Sequence, residues 1–297
     1  MLGPMPAPVF GRLITAMVTP FHDDGSLNLD EAKRLASYLV DEMHNDALVI
    51  NGTTGESPTT DDHEKLVLLE AVKEAVGDRA KILAGVGTNE TAATIARCRD
   101  AVTAGCDGVL VVTPYYSKPP ADALYEHFMM VADATDLPVM LYDIPGRSAI
   151  PIPEDVLIAL AAHPRIVAVK DAKGDVVSSA KVMASTGLAY YSGDDAMTLP
   201  LLSVGGVGVV GTSTHFTGAR TKQLIEAFVA GDTAGALALH RELLAVFTGV
   251  FATQGCMLVK AGLAARGFAP GGLRRPLKSA SDAQAAAFVA LLDAAGL

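Results

Sequence analysis

A lysine at the end of an apolar run is the first residue whose type and place could support chemistry. Lys170 follows four apolar residues in the segment IVAVKDAKG, Ile166–Gly174. Nothing polar interrupts this run, so it predicts a strand that is buried on both faces. Burial would lower the pKa of Lys170 and leave a neutral amine that can attack a carbonyl carbon. The plainer alternative is that Lys170 reaches solvent at the strand end and pairs with Asp171.

Paired hydroxyl groups follow another apolar run. After Ala47–Ile50 comes the sequence NGTTGES, in which glycines bracket Thr53 and Thr54. Such a turn offers backbone N–H groups and hydroxyls to a small carboxylate, although alone it could be an ordinary glycine-rich turn. It lacks the lysine of a P-loop, so the pattern does not indicate a phosphate site.

Tyrosine and arginine stand at further strand ends. Tyr116 lies in TPYY, Tyr142 ends the run PVMLY, and Arg147 follows in DIPGR. A phenol can relay protons, but tyrosine at a strand end is often only packing. Arg147 could bind a substrate carboxylate with two parallel hydrogen bonds, or could be a solvated surface residue. Together these strand-end residues favour a reactive Lys170, and strand alternation then directs Asp171 away from it.

The elements that would position these residues alternate regularly. From residue 12 to about 230, apolar runs alternate with amphipathic segments in about eight β–α units. Eight such units predict an α/β fold, a (β/α)8 TIM barrel with its functional residues at the carboxyl ends of the strands. A doubly wound open sheet is the alternative, but no GxGxxG follows the first strand. Thr60 is expected to cap the helix that begins DDHEKL.

The two ends of the chain differ from this middle part. Residues 1–11 are proline-rich and predict a flexible lead-in without the features of a signal peptide. The predicted barrel occupies residues 12–230. Residues 231–297 hold helical patterns without strands and predict a C-terminal helical domain. These patterns are Thr233–Phe247, Thr253–Ala265 and Asp282–Leu292.

Composition argues against several classes of function. The sequence has 297 residues, and 50% of them are apolar, which allows a large core. A net charge of −10 without a basic patch argues against binding to nucleic acid. No apolar run approaches the roughly 20 residues of a membrane span. Three scattered cysteines and dispersed histidines predict a cytoplasmic protein without a disulfide framework or a metal site.

In order along the chain, GTTGES, TPYY, YDIPGR, VAVKDAKG and SGDD resemble the dihydrodipicolinate synthase family of pyruvate-dependent class I aldolases. The resemblance runs from about residue 12 to 295. It implies a (β/α)8 barrel with a C-terminal helical domain, assembled as a tetramer of tight dimers. It also implies condensation of pyruvate with L-aspartate 4-semialdehyde in lysine and diaminopimelate biosynthesis. No cofactor is expected, since the cationic imine is itself the electron sink.

The resemblance also implies a role for each strand-end residue. Lys170 would form the Schiff base with pyruvate. A proton relay would consist of Tyr142, Thr53 and Tyr116, with Tyr116 reaching into the site of the neighbouring subunit. The substrate contacts would be Thr54 at the pyruvate carboxylate, Arg147 at the carboxylate of the semialdehyde, and Gly193 and Val210 through their backbones near the imine.

Two other functions remain open from the residues. One is a related Schiff-base enzyme, N-acetylneuraminate lyase or a 2-keto-3-deoxy sugar acid aldolase. Arg147 argues against it, because the sialate lyases carry a non-basic residue at this turn. The other is a non-catalytic, ligand-binding barrel, which would have no need for a buried amine at Lys170.

Some members of this family are inhibited by lysine at the dimer interface. The positions that match their lysine site read Asp62, Lys65 and Ala93, whereas Asn89 and Tyr115 are retained. Asp62 and Lys65 do not replace two imidazoles, and Ala93 removes an anion that would pair with the ammonium group of lysine. The sequence therefore predicts weak or absent feedback inhibition.

Overall fold

The structure is a computed structural model that describes residues 8–297. At its centre lies a closed barrel of eight parallel strands. Each strand pairs with the next one in the chain, and the first pairs with the last. The strands are β1 Leu13–Ala16, β2 Ala47–Ile50, β3 Lys81–Gly85, β4 Gly108–Val112, β5 Val139–Asp143, β6 Ile166–Asp171, β7 Ala189–Ser192 and β8 Gly208–Gly211. The predicted (β/α)8 barrel is confirmed, and the doubly wound sheet is wrong because the sheet closes.

Helices surround the barrel and continue beyond it. They are α1 Leu29–Asp41, α2 Asp62–Val76, α3 Thr91–Thr103, α4 Ala121–Asp133, α5 Pro145–Ser148, α6 Glu154–Leu160, α7 Val176–Ser185, α8 Thr198–Ser203, α9 Thr214–Val229, α10 Thr233–Gly249, α11 Gly255–Ala265 and α12 Asp282–Ala294. Within residues 8–297, no helix is long and apolar enough to cross a membrane.

Two separate apolar layers hold the barrel together. Inside it, Ile14, Leu83 and Met140 belong to one cluster that is fully buried. Between strands and helices, alternate strand residues such as Leu48 meet the apolar stripe of α1 that includes Leu35. Strands buried on both faces are typical of parallel barrels, and they explain why these runs carry so few polar residues.

The start of the described chain packs under the barrel. Phe10 is fully buried, and its backbone N–H donates to the Tyr191 hydroxyl at 3.2 Å. Residues 8–11 thus differ from the predicted flexible lead-in, because the open floor of the barrel needs an apolar side chain to fill it. Residues 1–7 of that lead-in lie outside the described residues.

The cap of α2 differs from the expectation by one residue. The Asp61 carboxylate accepts the backbone N–H of Glu64 at 2.8 Å, and the Glu64 carboxylate accepts the N–H of Asp61 at 3.1 Å. This reciprocal pair is a capping box, so α2 starts at Asp62. Thr60 instead donates its hydroxyl to the Ser57 carbonyl.

Helix α9 has no counterpart in the sequence prediction. Its first turns are buried but polar: Thr214 accepts a hydrogen bond from Thr15 at 2.8 Å, and His215 bonds the Thr212 carbonyl at 2.8 Å. A helix that buries hydroxyl and imidazole groups shows little apolar periodicity, so the pattern on which the prediction depends is absent here. Helices α10, α11 and α12 then follow.

Candidate active site

Lys170 lies near the carboxyl end of β6, deep inside the upper part of the barrel. Its side chain is 5% exposed, and its Nζ lies 4.2 Å from the centroid of the Tyr142 ring. The two residues are in register on neighbouring strands. Burial lowers the pKa of Lys170 to about 8, the charge of Asp195 opposes this shift, and Arg147 adds to it. At pH 7 about one tenth of the side chain is therefore a neutral amine, far more than for an exposed lysine.

The neighbouring acid faces the opposite side of the sheet. Asp171 accepts hydrogen bonds from the hydroxyl of Ser179, in α7, and from the backbone N–H of Lys173 at 3.0 Å. Lys173 in turn pairs with buried Asp143 at 3.5 Å. The carboxylate of Asp171 is thus engaged outside the barrel, as strand alternation predicts, and Lys170 is not a solvated strand end.

Tyr142, which lies beside Lys170, is hydrogen-bonded to Thr53. Tyr142 is 4% exposed, and burial raises the pKa of its phenol to about 12, while Arg147 and a hydrogen bond from Thr53 act in the opposite direction. Thr53 belongs to the turn after β2 and lines the same cavity as Tyr142. A hydroxyl pair of this kind can pass a proton between an amine and a bound substrate.

Tyr116 has an unusual backbone conformation and lies at the rim of the cavity that contains the other relay residues. Its φ is 74°, in the left-handed region, and the residue is 88% exposed. It lines the rim of a cavity of about 640 Å³ that Thr53, Tyr142 and Arg147 also line. The structure thus brings the three predicted relay residues to one cavity, with Tyr116 extending from its open side.

Thr54 faces a second, smaller cavity between the turn after β2 and α11. This cavity has a volume of about 310 Å³, and Arg147 lines both cavities. The Thr54 hydroxyl lies 3.4 Å from the hydroxyl of Thr212, which follows β8. Arg147, in the short helix α5, donates from Nη2 to Gln254 Oε1 at 3.0 Å. The guanidinium therefore stands at the junction of the two spaces, with a defined orientation.

Gly193 and Val210 are the two remaining predicted residues. A Cβ atom at Gly193 would lie 3.1 Å from Cγ of Lys170 and 2.9 Å from Cβ of Ala172, so this position leaves the room that the lysine stem occupies. Val210 is in register with Ile14 on β1 and belongs to the same interior cluster as Tyr142. Gly193 thus borders the stem of Lys170, whereas Val210 lies in the apolar interior of the barrel with Tyr142.

Sequence reasoning missed a buried acid beside this site. SGDD predicts an open turn, but Asp195 is 1% exposed and accepts the backbone N–H and hydroxyl of Ser213 at 3.0 and 2.6 Å. It also accepts the N–H of Thr212 at 3.1 Å. Burial raises the pKa of Asp195, and these hydrogen bonds counteract the shift. The acid fixes the loop after β8, and only the doubled aspartate could have indicated it.

The chemistry available here is that of an amine with proton donors and anion-binding groups. Within residues 8–297, no group of three or more His, Cys, Asp or Glu side chains could hold a metal ion. The groups that could take part are the amine of Lys170 as a nucleophile, the hydroxyls of Tyr142 and Thr53 as a path for protons, and the guanidinium of Arg147 as a cation for a carboxylate. This set suits covalent catalysis on a keto acid.

Known proteins are similar to this chain in sequence and in architecture. The model of the Dihydrodipicolinate synthetase family matches residues 9–295. A 4-hydroxy-tetrahydrodipicolinate synthase of Cutibacterium acnes is 61% identical, over 97% of this chain and 99% of that protein. A protein of the same name from Acidothermus cellulolyticus is 60% identical, over 98% of this chain and 94% of that one. The crystal structure of DHDPS from Cyanidioschyzon merolae with lysine bound has a TM-score of 0.95 and 40% identity, over 97% of this chain and 99% of that chain.

Proposed function

Because the chain belongs to the dihydrodipicolinate synthetase family, we propose that its Lys170 joins pyruvate to L-aspartate 4-semialdehyde through a Schiff base. The enzyme is a carbon–carbon bond-forming lyase with the activity of 4-hydroxy-tetrahydrodipicolinate synthases, in lysine and diaminopimelate biosynthesis. The observation that carries the role of Lys170 is its burial beside Tyr142, with a pKa lowered to about 8.

The reaction follows from the chemistry of a buried amine. The neutral amine of Lys170 adds to the carbonyl carbon of pyruvate, and loss of water gives a cationic imine. Loss of a methyl proton to the relay gives an enamine, whose carbon attacks the aldehyde carbon of the second substrate. The amino group of that substrate then attacks the imine carbon, closes the ring and releases Lys170. Tyr142, Thr53 and Tyr116 carry the protons between these steps.

The substrates are held by their carboxylates. Thr54 and the N–H groups of its turn bind the pyruvate carboxylate, and Arg147 binds that of the semialdehyde. Gly193 and Val210 leave space and offer backbone groups near the imine. A single guanidinium at Arg147 suits a small amino-acid aldehyde, whereas the sugar-acid alternatives, N-acetylneuraminate and 2-keto-3-deoxy sugar acids, present several hydroxyl groups and need other partners.

The assembly and location belong to the same proposal. We propose a homotetramer of tight dimers in the cytoplasm, in which Tyr116 of each subunit completes the relay of its neighbour. Tyr116 is 88% exposed in the single chain, which supports this assembly. A phenol that relays protons has to lie among other hydrogen-bonding groups, and the neighbouring subunit would supply them.

Borohydride trapping tests the covalent step. The enzyme is incubated with pyruvate, reduced with borohydride and digested, and the modified peptide is sequenced by mass spectrometry. We expect the reduced pyruvyl adduct on Lys170 in the native enzyme and none in the variant Lys170→Arg. Addition of L-aspartate 4-semialdehyde before reduction should discharge the adduct. Cleavage of N-acetylneuraminate without condensation of pyruvate and the semialdehyde would contradict the proposal.

A further inference from the structure

We propose that the buried ion pair between Glu56 and Lys260 positions the pyruvate-binding turn, residues 52–57, so that helix α11 belongs to the framework of the active site. This inference rests on the proposed function, because it assigns a task in pyruvate binding to residues that take no part in the covalent steps. Glu56 belongs to the turn, whereas Lys260 lies in α11 of the C-terminal part.

The pair is almost completely removed from solvent. Glu56 Oε1 lies 2.8 Å from Lys260 Nζ, and the side chains are 1% and 3% exposed. Glu56 Oε2 accepts the backbone N–H of Arg274 at 3.0 Å, and Lys260 donates to the carbonyl of Gly272 at 2.6 Å. The Lys260 ammonium also lies 4.4 Å from the centroid of the Phe21 ring. Because both charged groups are buried, removal of either one would leave the other without an opposite charge in a poorly solvated place.

Glu56 connects this pair to the threonines of the turn. Its φ is 57°, a left-handed conformation that residues with a side chain rarely adopt unless other contacts impose it. Its backbone N–H donates to the carbonyl of Thr53 at 3.2 Å. On the other side of the turn, the Thr19 hydroxyl donates to the carbonyl of Gly55 at 2.7 Å. The turn is thus attached to the segment after β1 by Thr19 and to α11 by Glu56.

The charge balance of the pair also affects the substrate directly. Glu56 lines the 310 Å³ cavity that Thr53 and Thr54 also line. A carboxylate without a partner at this place would repel the carboxylate of pyruvate across a poorly solvated space. Lys260 neutralises it. Removal of Lys260 would therefore loosen the turn and leave a negative charge beside the anion site, whereas removal of the Glu56 charge would loosen the turn and leave a positive charge, which does not repel pyruvate.

Three variants separate positioning from stability: Glu56→Gln, Lys260→Met and the double variant. We expect the KM for pyruvate to rise about tenfold or more in each of them, with the largest rise in Lys260→Met. The KM for the semialdehyde at saturating pyruvate should stay close to that of the native enzyme. The fraction of Lys170 trapped by borohydride at low pyruvate should fall in parallel.

Thermal unfolding shows whether the KM for pyruvate merely follows stability. A positioning role predicts that the KM stays raised in a variant whose stability has recovered. Each single variant leaves an unpaired buried charge and should unfold at a lower temperature, whereas the double variant carries none and should recover. We expect its KM for pyruvate to stay raised. The control is Glu64→Gln, which removes the carboxylate paired with Arg274 at 2.5 Å in the same cluster and contacts no residue of the turn. Its KM for pyruvate should be unchanged.

The outcomes distinguish this inference from the function on which it rests. If the native enzyme forms no pyruvyl adduct on Lys170, the proposed function fails. If the native enzyme forms the adduct, but the KM for pyruvate recovers with stability in the double variant, the pair is only structural. An unchanged KM in the folded single variants would overturn the positioning role as well, while the function would stand.

Discussion

The charge of one buried amine controls the first step of catalysis. Burial lowers the pKa of Lys170 to about 8 although the charge of Asp195 opposes this shift, so the ammonium is the form that the site disfavours. The neutral fraction grows as the pH rises through this value and is nearly complete above it. The pH dependence of Schiff-base formation is therefore a direct readout of the environment of Lys170.

We predict that the rate of pyruvyl adduct formation rises about tenfold per pH unit below pH 8 and levels off above it. Timed incubation with pyruvate followed by a borohydride quench measures this rate. Arg147→Met should move the midpoint to higher pH, since the positive charge of Arg147 helps to lower the pKa of Lys170. A midpoint near the ordinary value for lysine in the native enzyme would show that the amine is not desolvated.

Arg147→Met also tests the second substrate site. Loss of charge-assisted hydrogen bonds to the carboxylate, worth about 1.5–3 kcal/mol, should raise the KM for the semialdehyde about ten- to hundredfold. The KM for pyruvate should change little when both are measured above the midpoint for Lys170. Gln254→Met, which only removes the amide that orients Arg147 at 3.0 Å, should have a smaller effect of the same kind. Equal rises in both KM values would indicate a structural role instead.

Helix α2 links the substrate-binding turn to the outer layer of the barrel, and its start determines where that turn ends. We predict that Asp61→Ala lowers the stability of the folded subunit by about 1 kcal/mol, because the Glu64 backbone N–H loses the carboxylate that accepts its hydrogen bond. Urea unfolding followed by circular dichroism measures the difference. Thr60→Val removes only one hydroxyl contact to Ser57 and should cost less. The reverse order would place the cap at Thr60.

Helices α2 and α3 carry the positions that match the lysine site of related enzymes. Here Asp62 is engaged by Arg97 at 2.8 Å, and Lys65 is 5% exposed and donates to the carbonyl of Thr60. A lysine ligand would thus meet neither imidazoles nor a free anion at Ala93. We predict little or no inhibition by lysine in steady-state assays, and greater sensitivity in Ala93→Glu. Strong inhibition of the native enzyme at sub-millimolar lysine would overturn this prediction.

The elements differ in how far the sequence reveals them. Strands buried on both faces appear as unbroken apolar runs, so β2, β4 and β6 could be located closely. Helix α9 could not, because hydroxyl and imidazole groups replace apolar residues on its buried first turns. The ends of the elements depend on single hydrogen bonds, which explains the one-residue error at the cap of α2.

The residues of the site likewise differ in how far the sequence reveals them. Lys170, Tyr142 and Thr53 could be found because each follows an apolar run, and a parallel barrel brings all strand ends to one face. The contacts of Glu56 with Lys260 and of Asp195 with Ser213 could not, since their partners are far apart in the chain or hidden in a turn. Such contacts are set by the folded structure as a whole, and no local pattern records them.

In the whole molecule, closure of the barrel explains why the strand-end residues lie on one face. Tyr116 nevertheless remains mostly exposed to solvent. Tyr116 lines the rim of the cavity of its own subunit, yet 88% of its surface is exposed and available to a neighbouring chain. If the relay is completed by exchange between subunits, each active site contains Lys170 of one chain and Tyr116 of the other. The dimer would then be the smallest unit that is fully active.

Subunit mixing tests this exchange. Lys170→Ala and Tyr116→Phe are each expected to be nearly inactive alone. After the two are unfolded together in equal amounts and refolded, a site works only when Lys170 comes from the Tyr116→Phe chain and Tyr116 from the Lys170→Ala chain. Random pairing of symmetric dimers then restores about a quarter of the native activity. Each variant refolded alone is the control, and mixed samples that stay as inactive as these controls would place Tyr116 in the site of its own subunit.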